Sequence, residues 1–150
     1  MHLKKGEEKM IGEIIEVKTR RGEECELEVI SDIGGPEEIS TCNIELFFPL
    51  FRGRDADVFH AADIRDHLGR ADINTGLHHA EDLLKAQWRI SEEWKKYELY
   101  FPGTILRGVK DGELHIPSLD WGYGGWVIMY HPFWRRDWLK DYHRFVRWKR

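Results

Sequence analysis

The chain has few cysteines and no long apolar segment. Its two cysteines, Cys25 and Cys42, are too few for a disulfide-stapled framework, and both are expected to be reduced thiols. No segment approaches the ~18 consecutive apolar residues that a membrane-spanning helix needs. The opening residues MHLKKGEEKM lead into no apolar stretch of the signal-peptide kind. These absences predict a cytoplasmic protein without a transmembrane segment.

Catalytic signatures are also scarce. The sequence has neither a phosphate-binding loop nor the glycine pattern of a dinucleotide-binding fold. None of its serines lies in the glycine-flanked turn of a serine hydrolase, and neither cysteine lies in a recognised reactive setting. The sequence therefore offers no motif for nucleophilic catalysis, and we expect no cofactor. The alternative expectation is that the chain binds one divalent metal ion as its cofactor.

The length and composition are those of a single globular domain. The chain has 150 residues, of which 41% are apolar and 33% charged, so we predict one domain spanning residues 1–150. Seven tryptophans are more than a core of this size usually needs. Some of them are therefore expected at the surface.

Charge is distributed unevenly along the chain. The formal net charge is −4, but residues 126–150 carry +5 and residues 1–125 carry −9. A chain of this overall sign is not a general nucleic-acid binder, so contact with RNA or DNA would be confined to the basic C-terminal segment. The same asymmetry suits a protein partner or pairing between the two parts of the chain.

Alternating hydrophobicity predicts an antiparallel meander in the first third. Residues 10–18 are apolar and β-branched, residues 24–31 alternate apolar side chains with glutamate, and residues 39–48 resume the alternation. If the last two segments form a hairpin, Cys25 and Cys42 lie nearly opposite each other. A cross-strand disulfide is then geometrically allowed.

Helical spacing begins after Pro49. We predict a short helix from Asp55 or Asp57 to Leu68, and a longer amphipathic helix from Leu77 to Tyr97. A third helix is predicted near the C-terminus because five aromatic residues share one helical stripe there. These are Trp134, Trp138, Tyr142, Phe145 and Trp148.

Between the second and third helices we predict strands. Residues 104–109 and 114–116 form a hairpin with its tight turn at Gly112, residues 117–125 form a loop, and residues 126–130 form a strand. The expected fold is α+β: a mostly antiparallel sheet packed against about three helices. The sheet would combine the N-terminal three-strand meander with the C-terminal hairpin and strand.

Two sets of residues are candidates for a site. His60, Asp63 and His67 share one side of the short predicted helix and could hold one divalent ion, with His78 or His79 completing the shell. The second set is a partner-binding surface rich in aromatic and basic residues, the residue types that dominate protein interfaces and nucleic-acid contacts. It comprises Trp121, Tyr123, Trp126, Arg135, Arg136, Lys140, His143, Arg144 and Arg147.

The sequence leaves two classes of function open. The first is a small non-catalytic binding protein, of the inhibitor, immunity or adaptor kind, that recognises a macromolecular partner, most simply a protein. It requires Trp121, Tyr123 and Trp126 to form one exposed patch. The alternative is a metal-dependent hydrolase acting on a phosphate-containing substrate, with Arg135 or Arg136 neutralising the phosphate. Local RNA or DNA contact through the basic C-terminal helix and self-association are further alternatives.

Overall fold

The computed structural model of the chain describes residues 9–18, 22–48, 74–122, 124–132 and 142–149. Of these residues 48% lie in β-strands and 17% in helical segments, so this part of the molecule is mainly β. The predicted α+β fold with about three helices is therefore wrong. The described residues contain one helix of seven or more residues and one mixed sheet of eight strands.

The strands of this sheet occur throughout the described part of the chain. They are β1 (Ile14–Lys18), β2 (Glu24–Asp32), β3 (Ile44–Phe47), β4 (Glu98–Tyr100), β5 (Thr104–Gly108), β6 (Leu114–Gly122), β7 (Gly125–Pro132) and β8 (His143–Trp148). Their spatial order is β1-β2-β5-β6-β4-β8-β3, with β7 paired to β6. The β4–β8 pair is parallel, and the other pairs are antiparallel. β6 is central because it pairs with β5, β4 and β7.

The predicted N-terminal meander is only partly present. β1 and β2 form the expected antiparallel pair, but β2 pairs next with β5 and β3 pairs with β8. The prediction that β2 and β3 form a hairpin is wrong, because Leu27 and Val29 of β2 pack with Leu106 of β5. Cys25 and Cys42 are both free thiols, so the cross-strand disulfide is not formed.

The β5–β6 hairpin and the segment that follows it confirm one prediction and correct another. β5 and β6 pair as expected, with Gly112 at φ 72° in the turn. The predicted loop over residues 117–125 is wrong. β6 continues to Gly122, Gly124 turns the chain at φ 84°, and β7 begins at Gly125. The glycines indicated a loop, but they form a tight turn between two long strands.

The helix predicted from Leu77 is present as α1 (Leu77–Lys85) but is much shorter than expected. Leu77 N–H donates to the Thr104 hydroxyl of β5 (2.8 Å), which caps the helix from a distant strand. Ile90 is extended and buried, and 3₁₀ turns at Gln87–Arg89 and Glu92–Lys96 replace the predicted continuation to Tyr97. The helical pattern therefore overestimated the length of this helix, although Ile90 is buried as the pattern indicated.

The predicted C-terminal helix is wrong for the residues that are described. His143–Trp148 is strand β8, which lies between β4 and β3. Phe145 contacts the Tyr100 ring and Trp148 contacts the His79 ring, so the two members of the expected stripe lie on opposite faces of the sheet. Backbone hydrogen bonds from this segment to β3 and β4 outweigh the helical spacing of its aromatic side chains. Trp134, Trp138 and the predicted helix ending at Leu68 lie outside the described residues.

The main apolar core lies between α1 and one face of the sheet. Ala80 and Leu83 of α1 pack with residues of β3, β4, β6, β7 and β8, including Leu99, Leu119 and Val146. No helix in the described part of the chain has the length and hydrophobicity needed to traverse a lipid bilayer. The opposite sheet face carries a group of polar side chains on β4, β6, β7 and β8 beside apolar residues such as Phe145.

Candidate functional site

Six polar side chains converge on that second face, and we call them the polar cluster. They are Glu98 and Tyr100 of β4, Ser118 and Asp120 of β6, His131 of β7 and His143 of β8. The alternation of a strand places them opposite the core residues Leu99 and Leu119. Sheet pairing brings them together, since His143 is the register partner of Glu98 and Ser118 is that of Tyr100.

Glu98 is the acceptor at one end of the polar cluster. His143 donates through Nε2 to Glu98 Oε2 (3.0 Å), and the Tyr100 hydroxyl donates to the same oxygen (2.8 Å). Burial alone would raise the pKa of Glu98, but the His143 hydrogen bond, the His131 charge and the Tyr100 hydroxyl lower that pKa to about 2. Burial and the adjacent Glu98 charge raise the pKa of Tyr100, so its hydroxyl remains a donor.

Asp120 is the acceptor at the other end. The Ser118 hydroxyl donates to Asp120 Oδ1 (2.6 Å), and His131 donates through Nε2 to Asp120 Oδ2 (3.1 Å). His131 Nε2 is also 4.0 Å from Glu98 Oε2, so this ring connects the two carboxylates. Because Ser118 bonds the carboxylate and not an imidazole, the arrangement is not that of a serine hydrolase triad.

The polar cluster is largely closed to solvent. The side-chain exposures are 18% for Glu98, 12% for Asp120, 16% for His131 and 6% for His143. Ligand atoms of Glu98, Asp120 and His131 lie within 4.8 Å of one another. Two carboxylates and an imidazole at this separation are suited to holding a divalent cation or to sharing protons.

A second feature lies near the turn between β6 and β7, and we call it the aromatic surface. It consists of Trp88, Arg89, Lys95 and Trp121. The Trp88 side chain is 75% exposed, and the Arg89 guanidinium lies 4.6 Å from its ring centroid. Trp121 is 37% exposed, and Lys95 Nζ lies 3.8 Å from its ring centroid. Exposed indoles beside cations are typical of binding surfaces.

The 3₁₀ turn Gln87–Arg89 is attached to the β6–β7 turn by a hydrogen bond. Trp126 N–H donates to Gln87 Oε1 (3.0 Å), which places Trp88 next to the end of the β6–β7 hairpin. Trp126 itself is 3% exposed and belongs to the core, and its ring packs edge-on against Trp121 (5.7 Å). Of the three predicted patch residues, Trp121 is therefore at the surface and Trp126 is not. Tyr123 lies outside the described residues.

The predicted basic residues of β8 are engaged within the chain. Arg144 stacks on the Tyr97 ring (4.3 Å), and Arg147 donates through Nε to Glu45 Oε1 (2.8 Å). His143 is buried in the polar cluster. Arg135, Arg136 and Lys140 lie outside the described residues. A free basic stripe is thus not formed by the described part of the C-terminal segment.

The histidines of the two predicted helices separate into two groups. His60, Asp63 and His67 lie outside the described residues, so the metal site proposed from them stays a prediction. His78 and His79 are buried and stacked, with ring centroids 3.8 Å apart. Their Nε2 atoms lie 3.0 Å from the carbonyl oxygens of Gly35 and Glu37, respectively. These contacts anchor the 33–38 segment to α1.

One of these rings has a strongly perturbed pKa. His79 Nδ1 accepts a hydrogen bond from Gly76 N–H (2.8 Å), so protonation at that atom would break it. Burial, and then the neighbouring His78, lower the pKa of His79 to about 4. His79 is consequently neutral in the folded protein at neutral pH.

Sequence reasoning missed the polar cluster and Trp88. The available signal was alternation: Glu98 and Tyr100 flank Leu99, and Ser118 and Asp120 flank Leu119. Such patterns normally indicate a solvated strand face, and pairing of distant strands is needed to bring their side chains together. Trp88 was assigned to the core because the helix was expected to continue through it.

Comparison with known proteins identifies no relative. No protein-family model matches the chain, no curated protein matches its sequence, and no solved structure matches its fold. The functional argument therefore depends on the chain's own side chains.

Proposed function

We propose that this chain is a small binding protein whose aromatic surface recognises a protein partner. The observation that carries the proposal is the 75% exposure of Trp88, which follows the residue that anchors this segment to the hairpin carrying Trp121. Burying the exposed part of one indole is worth roughly 3–4 kcal/mol before the costs of association. A partner that covers this ring would gain that burial energy.

The charges around the rings define the partner chemistry. The Arg89 guanidinium lies against the exposed Trp88 indole, so a complementary surface would offer apolar side chains beside an acidic group. Nucleic acid is less favoured because the chain carries a net charge of −4, and because Lys95 is neutralised by Glu92 at 2.6 Å. The closed polar cluster is inaccessible to a large substrate and does not compete as the recognition site.

The test begins with affinity isolation of the partner using the full chain as bait. The identified partner is then purified, and its dissociation constant is measured for Trp88→Ala, Trp121→Ala and Val109→Ala. Val109 is the control because it is also exposed and lies at the other end of β6, at the β5–β6 turn. We expect weakening of about 30-fold or more for Trp88→Ala, and about twofold or less for Val109→Ala.

Two outcomes would overturn the proposal. One is a reconstituted complex whose affinity is unchanged by both tryptophan substitutions. The other is recovery of RNA or DNA as the specific ligand, with no protein that binds the purified chain.

A further inference from the structure

We propose that the polar cluster is a divalent transition-metal site in which Glu98, Asp120 and His131 are the ligands. This goes beyond partner binding and uses residues on the opposite side of the sheet from α1. It also differs from the predicted His60, Asp63 and His67 set, because its residues come from three strands and not from one helix.

The distances between the three side chains are close to those of a metal shell. With metal–ligand bonds of roughly 2.0–2.2 Å, neighbouring ligand atoms of a tetrahedral site lie roughly 3.3–3.6 Å apart. His131 Nε2 is 3.1 Å from Asp120 Oδ2 and 4.0 Å from Glu98 Oε2. All three ligand atoms lie within 4.8 Å of one another, so side-chain shifts of roughly an ångström would bring them onto one ion.

The charge of the site also favours a dication. The carboxylates of Glu98 and Asp120 are largely buried, and their ligand oxygens lie within 4.8 Å of each other. Like charges this close repel strongly away from water, and one divalent ion neutralises both. The imidazole ligand favours Zn²⁺ or a similar transition-metal ion over Mg²⁺ or Ca²⁺, which prefer oxygen donors.

The surrounding side chains are placed to orient the ligands. His143 Nε2 and the Tyr100 hydroxyl hold Glu98, and the Ser118 hydroxyl holds Asp120. Hydrogen-bonded supports of this kind fix carboxylate ligands in metal sites. We assign His143 as a positioning residue, since its Nε2 atom holds the ligand Glu98 through a hydrogen bond to Oε2 (3.0 Å).

The experiment measures Zn²⁺ binding to the chelator-treated full chain by calorimetry, with elemental analysis of protein purified without chelator. We expect one Zn²⁺ per chain and a higher Tm in its presence. Asp120→Asn and His131→Gln should abolish this binding, and His143→Gln should weaken it by about 10–100-fold. His115→Gln is the matched control, because His115 is a half-buried histidine of β6 that contacts the Glu113 carbonyl.

A second measurement does not depend on whether a variant folds. In the unmodified chain with ¹⁵N-labelled histidine, Zn²⁺ should shift the ring-nitrogen resonances of His131 and leave those of His79, which contacts Trp148 on the core face of the sheet, in place. The proposal is overturned if the chain binds no Zn²⁺, Mn²⁺, Co²⁺ or Fe²⁺, or if the His131 resonances do not respond. It is also overturned if replacing His60 and His67 together abolishes binding while His131→Gln retains it.

Discussion

Acidification should destabilise the fold through His79. In the folded chain this ring is fully buried, accepts a hydrogen bond from Gly76 N–H through Nδ1 and lies 3.0 Å from the Glu37 carbonyl through Nε2. A proton added at Nδ1 would remove the first hydrogen bond and place a cation against the His78 ring. In the unfolded chain the same imidazole takes up a proton freely.

The size of the effect follows from the two pKa values. The pKa is about 4 in the folded chain and 6.5 in the unfolded reference. Because the folded pKa is lowered, the unfolded chain binds the proton first. The stabilising contribution is therefore complete above about pH 7 and is lost as the pH falls from 6.5 towards 4. At 1.36 kcal/mol per pKa unit the full loss is about 3 kcal/mol, of which about 2 kcal/mol is lost by pH 5.

The assay is urea unfolding of the wild-type chain and of His79→Gln at intervals between pH 7.5 and 5. The substitution lowers the stability at every pH because it disturbs a buried hydrogen-bonded site, but it should also reduce the slope of stability against pH. Some slope will remain, since burial also lowers the pKa of His115. Equal slopes for the two chains would refute the assignment of this effect to His79.

Two further substitutions test the core and the cap of α1. Leu119→Ala should reduce the free energy of unfolding by about 2–5 kcal/mol, because Leu119 is fully buried in the main core. The exposed Val127→Ala in the same hairpin should change it by about 0.5 kcal/mol or less, and similar losses for both would contradict the described core. Thr104→Val keeps the side-chain shape but removes the acceptor for Leu77 N–H, and should cost about 1–2 kcal/mol in urea unfolding. Unchanged stability would mean that this hydroxyl does not cap the helix.

The predicted site residues show which features can be predicted from local sequence patterns and which cannot. Trp121 was correctly expected among the exposed tryptophans, but Trp126 was assigned to the same patch although its neighbours in the sheet bury it. His143 was assigned to the basic face of a helix. In the fold it lies on a parallel strand beside Glu98 and donates to that carboxylate. Each error arose because exposure depends on residues far away in the sequence.

The sequence by itself determined the features that depend on local conformation. Glycine at position 112 makes the tight turn of the β5–β6 hairpin, alternation defines β2, and amphipathic spacing starts α1 at Leu77. Only the tertiary structure decided which strands are neighbours. It converted the C-terminal helical pattern into β8, ended α1 at Lys85 and brought Glu98, Asp120 and His131 together. The physical reason is that strand pairing satisfies backbone hydrogen bonds between distant segments, and no local spacing of side chains specifies which segments will meet.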